Sequence, residues 1–482
     1  MSLCFSNIFA QFDDNTPSPT LIENNLRHPV LIFGDPNNRM SLTERMAHYH
    51  VPGVSIAVID KGKVAWVKGY GNISSDSESK AISIHTLFQA GSVSKSLTTF
   101  GALILVQQGK ISLDEDVNCY LKSWKIPDNE FTQSEKVTLR RLLSHSAGTS
   151  VSGFPGYPDG SKLPSLIEIL DGTKPLVNTD PVRVILKPGT EFRYSGGGTT
   201  IVQLLIEDIT GEEFGSWMQK NVLSPLGMLE STFNQPLSPI HSQHAAFGQL
   251  TSGVKVEGNW HIYPEMAAAG LWSTPSDLSK FILYIQSGLR SNDTDLLNTE
   301  FIREMVAKQI KIDDKNASGL GLFLENEGTD LVFQHNGQDE GFITSLYAFA
   351  NRDQGVVIMI NNDTAWGLMQ EITNSIADVY EWPNFSQIEK KQVAVDSELF
   401  NIFSGSYHQE DAEVDVLKQG DRLFIDLKNG FGHLIELHSE SDYTYFMQEA
   451  NVVIKFILLD NVVDELIMIQ PNNEIDHYKK KY

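Results

Sequence analysis

The chain has 482 residues, 41% of them hydrophobic and 20% charged, which is enough apolar material for two or three domains. Its formal net charge of −24 and its isoelectric point near 4.9 argue against nucleic acid and anionic membrane as partners, because both would repel the chain. No apolar run approaches the roughly 20 residues that a membrane helix needs, so we expect no membrane span.

The cysteines and histidines give no indication of a metal site, and the N-terminal residues give little information about location. Cys4 and Cys119 make no disulfide framework, and no Cys/His spacing is typical of zinc. His241 and His244 form a lone His-x-x-His without a nearby acidic ligand, so we predict no metal and no cofactor. The chain begins like the end of a signal peptide cut after Ala10, without its basic region. We therefore favour a periplasmic or secreted location and keep the cytoplasm as the alternative.

The first structural elements precede a serine–lysine pair. Residues 1–39 are a polar lead-in. After a helix over Leu42–Tyr49, two β-type runs, Val54–Ile59 and Val64–Lys68, flank the turn Asp60–Lys63 and predict a hairpin.

The apolar run Phe100–Val106 predicts a helix that is buried on most faces and begins near Ser92. Ser92 would lie on its first turn, among unpaired backbone N–H groups. Lys95 would lie one turn further along the same face and reach the Ser92 hydroxyl. A lysine held in an apolar pocket loses affinity for its proton and can act as a base toward a serine. The alternative is a helix cap beside a solvent-exposed lysine.

A Ser-x-x-Lys pattern is not specific, since a chain of this length contains roughly one or two by chance. The second copy, Ser77–Lys80, lies in a polar stretch with no apolar helix behind it and predicts an exposed loop.

The middle of the chain is mostly helical. A helix over Leu139–Ser144 stops at His145–Gly148, and residues 151–181 are a long Gly/Pro-rich loop that predicts a rim of the site. A Lys-Pro-Gly turn then leads to Tyr194. Further helices are predicted over Thr200–Thr210, over Phe214–Val222, and from a Ser-Thr-Pro cap to about Gln286.

From Gly319 onward, the hydrophobic pattern is again typical of β-strands. Two hairpins are predicted, Leu320–Leu324 with Leu331–Gln334 and Phe342–Ala350 with Gly355–Ile360, followed by a helix over Gly367–Tyr380. The order predicts an α+β fold, an antiparallel sheet flanked by helices with a helical subdomain.

The end of the chain has a different character. Residues 383–398 are a polar linker, and residues 399–482 contain short β-type runs without a helix, which predicts a small all-β barrel or sandwich. We therefore predict a lead-in over 1–39, a catalytic domain over 40–382, a linker over 383–398 and a small all-β domain over 399–482.

Two further stretches give the Ser92 pattern a context. Together with Tyr194–Gly196 and His335–Gly337, it resembles the three motifs of the serine β-lactamase and penicillin-binding-protein superfamily, nearest the class C β-lactamase, D-aminopeptidase and esterase branch. The resemblance covers about residues 40–380. Phe403–Tyr407 also resembles the first strand of the lipocalin-like barrel that some members carry. Supporting matches are Val51–Val58, Leu142–Gly148, Pro225–Met228 and Gly270–Thr274.

The resemblance implies roles for the residues of the site. Ser92 would be the acyl-accepting nucleophile, Lys95 its base or proton relay, and Tyr194 the group that exchanges a proton with the serine and the leaving group. The backbone N–H groups of Ser92 and Gln338 would form the oxyanion hole.

The substrate-binding positions depart from the family pattern. Gly196 stands where the family usually has an Asn that binds the substrate carbonyl, and His335 replaces a Lys. His335 would orient a substrate carboxylate or ester oxygen, with Gly337 beside it. His335 as an edge-strand residue and Tyr194 as a core tyrosine are the structural alternatives. His145 allows a Ser-His-Asp interpretation, which we consider less favoured because its sequence matches a structural motif of the family and no Gly-x-Ser-x-Gly elbow is present.

The resemblance implies a metal-free serine hydrolase that acts through an acyl-enzyme on esters or on D-amino-acid peptides and amides. The partner would be a small molecule or short peptide, and the oligomeric state is open. The alternatives are a true class C-like β-lactamase or D-Ala-D-Ala carboxypeptidase and, from another class, a slow-turnover penicillin-binding or scaffold protein.

Overall fold

The computed structural model describes residues 17–250, 253–291, 294–327, 330–383, 385–410, 412–428, 434–460, 462–471 and 473–481. The resemblance of the first eleven residues to a signal peptide lies outside them. The helices are α1 Pro19–Glu23, α2 Leu42–His48, α3 Ser94–Gln107, α4 Leu139–Leu143, α5 Leu166–Asp171, α6 Gly196–Thr210, α7 Phe214–Met218, α8 Pro239–Ser242, α9 Met266–Ala269, α10 Pro275–Arg290, α11 Thr299–Met305, α12 Trp366–Val379 and α13 Leu399–Phe403.

The strands carry the predicted hairpins and the C-terminal β region. They are β1 Val30–Ile32, β2 Gly53–Asp60, β3 Lys63–Gly71, β4 Phe88–Gln89, β5 Tyr157–Pro158, β6 His261–Ile262, β7 Trp272–Ser273, β8 Ile310–Lys311, β9 Asn316–Ser318, β10 Phe323–Glu327, β11 Asp330–Asp339, β12 Phe342–Phe349, β13 Gly355–Ile360, β14 Ile388–Lys390, β15 Gly405–Gln409, β16 Ala412–Gln419, β17 Arg422–Asp426, β18 Ile435–Ser439, β19 Thr444–Phe446, β20 Val453–Leu459, β21 Val462–Ile469 and β22 Ile475–Lys480.

The described chain divides into two compact units. Unit one comprises residues 51–363, and unit two comprises residues 17–50 together with 364–481. The predicted boundaries at 39, 382 and 398 remain a prediction, since compactness alone does not show which segment folds by itself. None of the helices in the described ranges is both long and apolar enough to cross a bilayer.

Unit one is built on an eight-stranded sheet with the order β3-β2-β13-β12-β11-β10-β9-β8, in which each neighbouring pair is antiparallel. The predicted α+β fold is therefore confirmed. Strands β2, β12 and β13 are almost wholly buried, which explains their continuous apolar sequences.

Helix α3 is the buried helix that the apolar run predicts, and every residue from Ser94 to Leu105 is buried. A Cβ on Gly101 would lie 2.8 Å from the Met218 sulfur and 3.0 Å from the Trp217 ring, so a glycine is needed for this close packing. The helix that carries Lys95 is thus held in place by the core around it.

Unit two contains a closed barrel in which β15 to β22 follow one another as antiparallel neighbours and β22 pairs back with β15. The predicted barrel is confirmed. Its interior is packed with side chains, among which the rings of Phe403 and Phe456 stack with centroids 4.2 Å apart and Tyr407 and Tyr445 lie close to them. An interior filled in this way serves as a hydrophobic core.

The N-terminal segment is more structured than the polar lead-in that its sequence suggests. It contains α1, and β1 pairs in parallel with β14, which lies in the stretch predicted to be a linker. The Arg27 guanidinium binds both oxygens of Asp378, at 2.7 Å each. Three-residue strands and a long-range ion pair leave no periodic pattern, which is why the sequence did not predict them.

Candidate active site

The serine–lysine pair lies at the start of α3. Ser92 lies in a short 3-10 turn, Gly91–Val93, directly before the helix rather than on its first α-turn. Lys95 is 3% exposed, and its Nζ donates to Ser92 Oγ at 2.8 Å and to the Ala268 carbonyl oxygen at 2.7 Å. The second copy of the pattern, Ser77–Lys80, lies in a loop after β3. The burial and the contacts distinguish the first copy from the second.

Short hydrogen bonds hold α9 against α3 and thereby place the carbonyl group that Lys95 contacts. Thr98 Oγ1 donates to the Ala267 carbonyl oxygen at 3.0 Å. Ser94 Oγ donates to the Gly91 carbonyl oxygen at 2.6 Å and accepts the Leu271 N–H at 3.0 Å. The lysine amine therefore has a fixed position between the serine oxygen and a backbone acceptor.

Tyr194 lies beside this pair, with its ring centroid 5.1 Å from Lys95 Nζ. The segment that carries it is held on both sides by His145. The Arg193 N–H donates to the His145 carbonyl oxygen at 2.7 Å, and the Ser195 N–H donates to His145 Nδ1 at 3.2 Å. The rings of His145 and Tyr194 have centroids 4.5 Å apart.

His145 is buried, and its backbone has a left-handed φ of +54°. Burial, with Lys95 and His335 adding to it, holds the pKa of its imidazole well below the usual range. A neutral ring is what allows Nδ1 to accept the Ser195 N–H. This arrangement favours the structural interpretation of His145 over the Ser-His-Asp one, and only the family motif pointed to it in the sequence.

Helix α6 begins at Gly196, four residues before the predicted start, because Ser195 caps it. Ser195 Oγ accepts the Gly198 N–H at 2.9 Å and donates to the Ser150 carbonyl oxygen at 2.7 Å. A Cβ on Gly196 would lie 3.0 Å from the Phe154 ring and 3.0 Å from the Ser152 carbonyl oxygen. The rim loop thus occupies the space that a side chain at 196 would need.

Strand β11 packs against the Gly91–Val93 turn through two glycines. Gly91 has a φ of +51°, and a Cβ there would lie 2.6 Å from the Gln338 backbone nitrogen. A Cβ on Gly337 would lie 2.0 Å from the Ala90 carbonyl oxygen and 3.0 Å from the Ser92 nitrogen. The two backbones can approach only without side chains, and this brings the Gln338 amide next to Ser92.

His335 lies inside β11, which runs on to Asp339, so the predicted strand over Leu331–Gln334 is too short and the third motif belongs to the strand. The motif continues to pair with β12, from His335 opposite Leu346 to Asp339 opposite Phe342. Glycine at 337 lowered the apparent strand propensity, but the ladder carries the strand through it.

The His335 side chain is 1% exposed. Its Nδ1 lies 2.7 Å from the Asn336 carbonyl oxygen, and its Nε2 has no partner among the described residues. Burial, together with Lys95, lowers the pKa of His335 to about 3. At neutral pH the ring is therefore uncharged.

Comparison with known proteins places this geometry in a family. The Beta-lactamase family model matches residues 40–380. The chain belongs to the β-lactamase family. The resemblance to the serine β-lactamase and penicillin-binding-protein superfamily is thereby confirmed.

The relatives of this β-lactamase-family chain match it over segments of different length. Penicillin-binding protein 4* of Bacillus subtilis (strain 168) is 22% identical over 475 residues, which cover 92% of this chain and 98% of that protein. Protein flp of Staphylococcus aureus (strain N315) is 28% identical over 329 residues, and the match spans 65% of this chain and 60% of flp.

Solved structures show the same fold. The octameric penicillin-binding protein homologue from Pyrococcus abyssi has a TM-score of 0.61 at 21% identity and covers 91% of this chain and 98% of its own. A structure of SurE with D-Leu has a TM-score of 0.55 at 19% identity, and the match covers 91% of this chain and 97% of the SurE chain.

In this β-lactamase-family chain a cavity of about 450 Å³ opens beside Tyr194 and His335. Phe192, Ile312 and Phe323 supply its apolar wall. The remaining lining side chains are three uncharged amides. The cavity lies next to the groups that the family resemblance assigns to proton transfer and substrate binding.

Two further buried carboxyl groups belong to the elements that form the site, and sequence analysis missed both. Glu265 immediately precedes α9, and Asp339 ends β11. No side chain among the described residues forms a hydrogen bond with any of their four carboxyl oxygens. Burial raises the pKa of Glu265 to about 7. Burial also raises the pKa of Asp339 well above its usual range, against the weaker opposing effects of Lys95 and the Gly91 amide.

Proposed function

We propose that the protein is a serine hydrolase that forms an acyl-enzyme on Ser92 and acts on esters in preference to amides. The observation that carries the proposal is the 2.8 Å contact between Lys95 Nζ and Ser92 Oγ, with Lys95 buried and Tyr194 beside it. Nucleophile and base within hydrogen-bond reach, with a third group that orients the base, are the arrangement that nucleophilic catalysis requires. The Ala268 carbonyl oxygen is the third group.

The proposed reaction has two halves. Ser92 Oγ attacks the ester carbonyl carbon while its proton passes to Lys95 or Tyr194. The tetrahedral intermediate then breaks its bond to the leaving oxygen, which receives that proton through Tyr194 and departs as an alcohol or phenol. Where Lys95 took the proton first, it returns the proton to Tyr194. Water attacks the acyl-enzyme in the second half, the bond to Ser92 Oγ breaks, and the carboxylic acid leaves as Ser92 regains its proton.

The negative charge on the carbonyl oxygen needs preorganised donors. We assign these to the backbone N–H groups of Ser92 and Gln338, which the glycines at 91 and 337 allow to lie side by side. Each such donor is worth about 10²–10³ in rate in well-studied hydrolases.

The preference for esters rests on Gly196. Glycine offers no amide donor for a substrate carbonyl, and neighbouring Ser195 has its hydroxyl engaged with Gly198 and Ser150. β-Lactams and peptides present an amide carbonyl that such a donor would bind. We therefore expect short-chain aryl esters to have a higher kcat/KM than cephalosporins and D-amino-acid anilides.

The test of the nucleophile uses the two Ser-x-x-Lys copies as a matched pair. A fluorophosphonate probe should label the wild-type chain and Ser77→Ala but not Ser92→Ala. Labelling that persists in Ser92→Ala and disappears in Ser77→Ala would overturn the assignment.

The relatives that are named penicillin-binding proteins favour one second candidate, a protein that is acylated by penicillin and turns over slowly. Steady-state rates on a panel of aryl esters, D-amino-acid anilides and cephalosporins separate the two. A stoichiometric burst without turnover on every substrate would support the second candidate, whereas multiple turnovers on esters would support hydrolysis.

A further inference from the structure

We propose that the cavity beside Tyr194 is the leaving-group pocket and that it takes an uncharged aromatic or apolar leaving group and rejects one that carries a carboxylate. The proposal rests on the proposed function, because it needs Tyr194 as the group that protonates the leaving oxygen. It adds the chemical class of the substrate to that function.

The position of the cavity follows from proton transfer. A group that gives a proton to the leaving oxygen must be within hydrogen-bond reach of it in the reactive complex. Tyr194 lies beside Lys95 and also lines the cavity, together with His335. A leaving group attached to an oxygen at Tyr194 therefore extends into this space.

The walls suit an aromatic ring. The Phe192 and Phe323 rings meet edge to face with centroids 6.1 Å apart, and the Tyr194 ring lies 6.0 Å from Phe323. Offset and edge-to-face contacts of this kind favour a further ring beyond the area that it buries. Ile312 closes the apolar side of the cavity.

The lining within the described residues includes no Lys, Arg, Asp or Glu side chain. The one titratable ring that could supply a positive charge is His335, which burial keeps neutral. The Asn336 carbonyl oxygen can only accept, so Nδ1 carries the ring proton and Nε2 presents a lone pair. His335 therefore offers a carboxylate neither a positive charge nor a donor at Nε2, and the lining amides of Asn316 and Gln334 already donate to Asp313 and Glu325.

Lys311, Asp313 and Lys95, three charged groups close to the lining, each bind a neighbouring group, whereas Arg193 is exposed between the lining residues Phe192 and Tyr194. Lys311 binds Asp314 at 2.6 Å, and Asp313 accepts the Asn316 amide at 2.8 Å. Lys95 is directed to Ser92 and Ala268. Without a cation in the pocket, burying a carboxylate costs its full desolvation.

The experiment compares two esters with the same acetyl group, methyl 4-acetoxybenzoate and 4-acetoxybenzoate, whose leaving phenols differ in a carboxylate. Each kcat/KM is divided by the rate constant for hydroxide hydrolysis of the same ester, which removes intrinsic reactivity. We expect the wild-type chain to prefer the neutral ester by at least about tenfold, or about 1.4 kcal/mol.

Three variants locate the cause. Ile312→Lys adds a cation to the lining and should reduce the preference to less than about threefold, whereas Ile312→Met, of similar length, should leave it unchanged. Leu229→Lys adds the same charge at a side chain that is 70% exposed and is absent from the lining. It should also leave the preference unchanged, which separates a local charge from the overall charge of −24. Thermal unfolding confirms that each variant is folded.

The outcomes distinguish the two proposals. Equal or better use of 4-acetoxybenzoate by the wild-type chain would overturn the leaving-group assignment while ester hydrolysis at Ser92 stands. If that use disappears in Arg193→Ala, the exposed arginine next to Tyr194 supplies the cation. A preference that responds equally to Ile312→Lys and Leu229→Lys would also overturn the assignment. Failure of both esters to acylate Ser92 would overturn the proposed function itself.

Discussion

Two sets of buried carboxyl groups, one set in each unit, are held in opposite ways. In unit two, Glu371 is 1% exposed and binds the Arg45 guanidinium at 2.6 and 2.8 Å, with the Tyr49 hydroxyl donating at 2.9 Å. Burial acts to raise its pKa, but the hydrogen bonds from His28 and Arg45 outweigh burial and lower it. In unit one, Glu265 and Asp339 are equally buried, have no such partner, and have raised pKa values.

The difference distinguishes carboxylates that stabilise the fold through ion pairs from carboxyl groups that lie beside the candidate site. A carboxylate paired with arginine stays ionised and ties distant segments together. An unpaired buried carboxyl is held in its neutral form, at a cost in stability, and such groups occur preferentially at functional sites. Glu265 and Asp339 are attached to the elements that place Ala268 and Gln338, which fits the second description.

The largest expected effect comes from removing the ion pair between Arg45 and Glu371. Arg45→Met leaves Glu371 buried with His28 and Tyr49 but without the guanidinium, and removing one member of a buried ion pair costs about 3–5 kcal/mol of unfolding free energy. Urea denaturation at pH 7 measures the loss. The kcat of the folded protein toward an aryl ester should not change, because neither residue belongs to unit one.

The matched control is Arg45→Met with Glu371→Gln, which removes the orphaned charge as well. It should recover most of the loss, since the penalty lies in the unpaired charge and not in the absent bond. If the unfolding free energy of Arg45→Met lies within about 1 kcal/mol of the wild-type value, the ion pair does not stabilise the fold. The contrast between the two sets of carboxyl groups would then disappear.

A smaller effect comes from the titration of these carboxyl groups, and its sign depends on whether the carboxyl group is paired with a cation. The pKa of Glu265 rises from 4.5 to about 7 on folding, so the unfolded chain gives up its proton first as the pH rises. Stability is therefore highest below pH 4.5 for this group and falls by about 3 kcal/mol up to pH 7. Glu265→Gln should remove that fall, as measured by unfolding free energies at pH 4.5, 6 and 7.5.

Glu371→Gln provides the opposite case. Its folded-state pKa is lowered from 4.5, so its contribution is present above pH 4.5 and is lost as the pH falls through the folded pKa. Two variants with the same pH slope would contradict the distinction between paired and unpaired carboxyls.

The smallest expected effect concerns a buried polar group that does have a partner in unit one. His145→Leu removes the acceptor for the Ser195 N–H and should lower kcat by about 10–100-fold with little change in KM, because Tyr194 moves out of alignment. His145→Asn keeps a short acceptor and tolerates the left-handed backbone, so it should retain most of the rate. Equal losses in both variants would mean that the acceptor does not position Tyr194.

The sequence predicted interactions between residues that are close together in the chain better than interactions between distant segments. Ser92, in the turn before α3, and Lys95, on α3, are three residues apart, so their contact could be predicted from helical spacing. The hairpins of the sheet could be predicted from short β-type runs on either side of turn residues. The barrel was predicted from the recurrence of short β-type runs. These are local patterns that a single stretch of sequence contains.

The features that could not be predicted join distant segments. The Phe154 ring against Gly196 and the unpaired state of Glu265 and Asp339 depend on which loops and strands meet in space. The third motif looked like a strand end because Gly337 weakens β propensity, but pairing with β12 overrides it. Tertiary context decided each of these cases.

Pairing of β1 with β14 has a consequence for synthesis on the ribosome. Arg27 and its partner Asp378 are 351 positions apart in the chain, whereas unit one is continuous from 51 to 363. At the usual 5–20 residues per second, the N-terminal segment waits roughly 20–70 s before its partner strand and helix emerge. Unit one can be complete by then. Until that moment, Val30 and Ile32 have no sheet to join, so the nascent chain carries an apolar strand that a chaperone could bind.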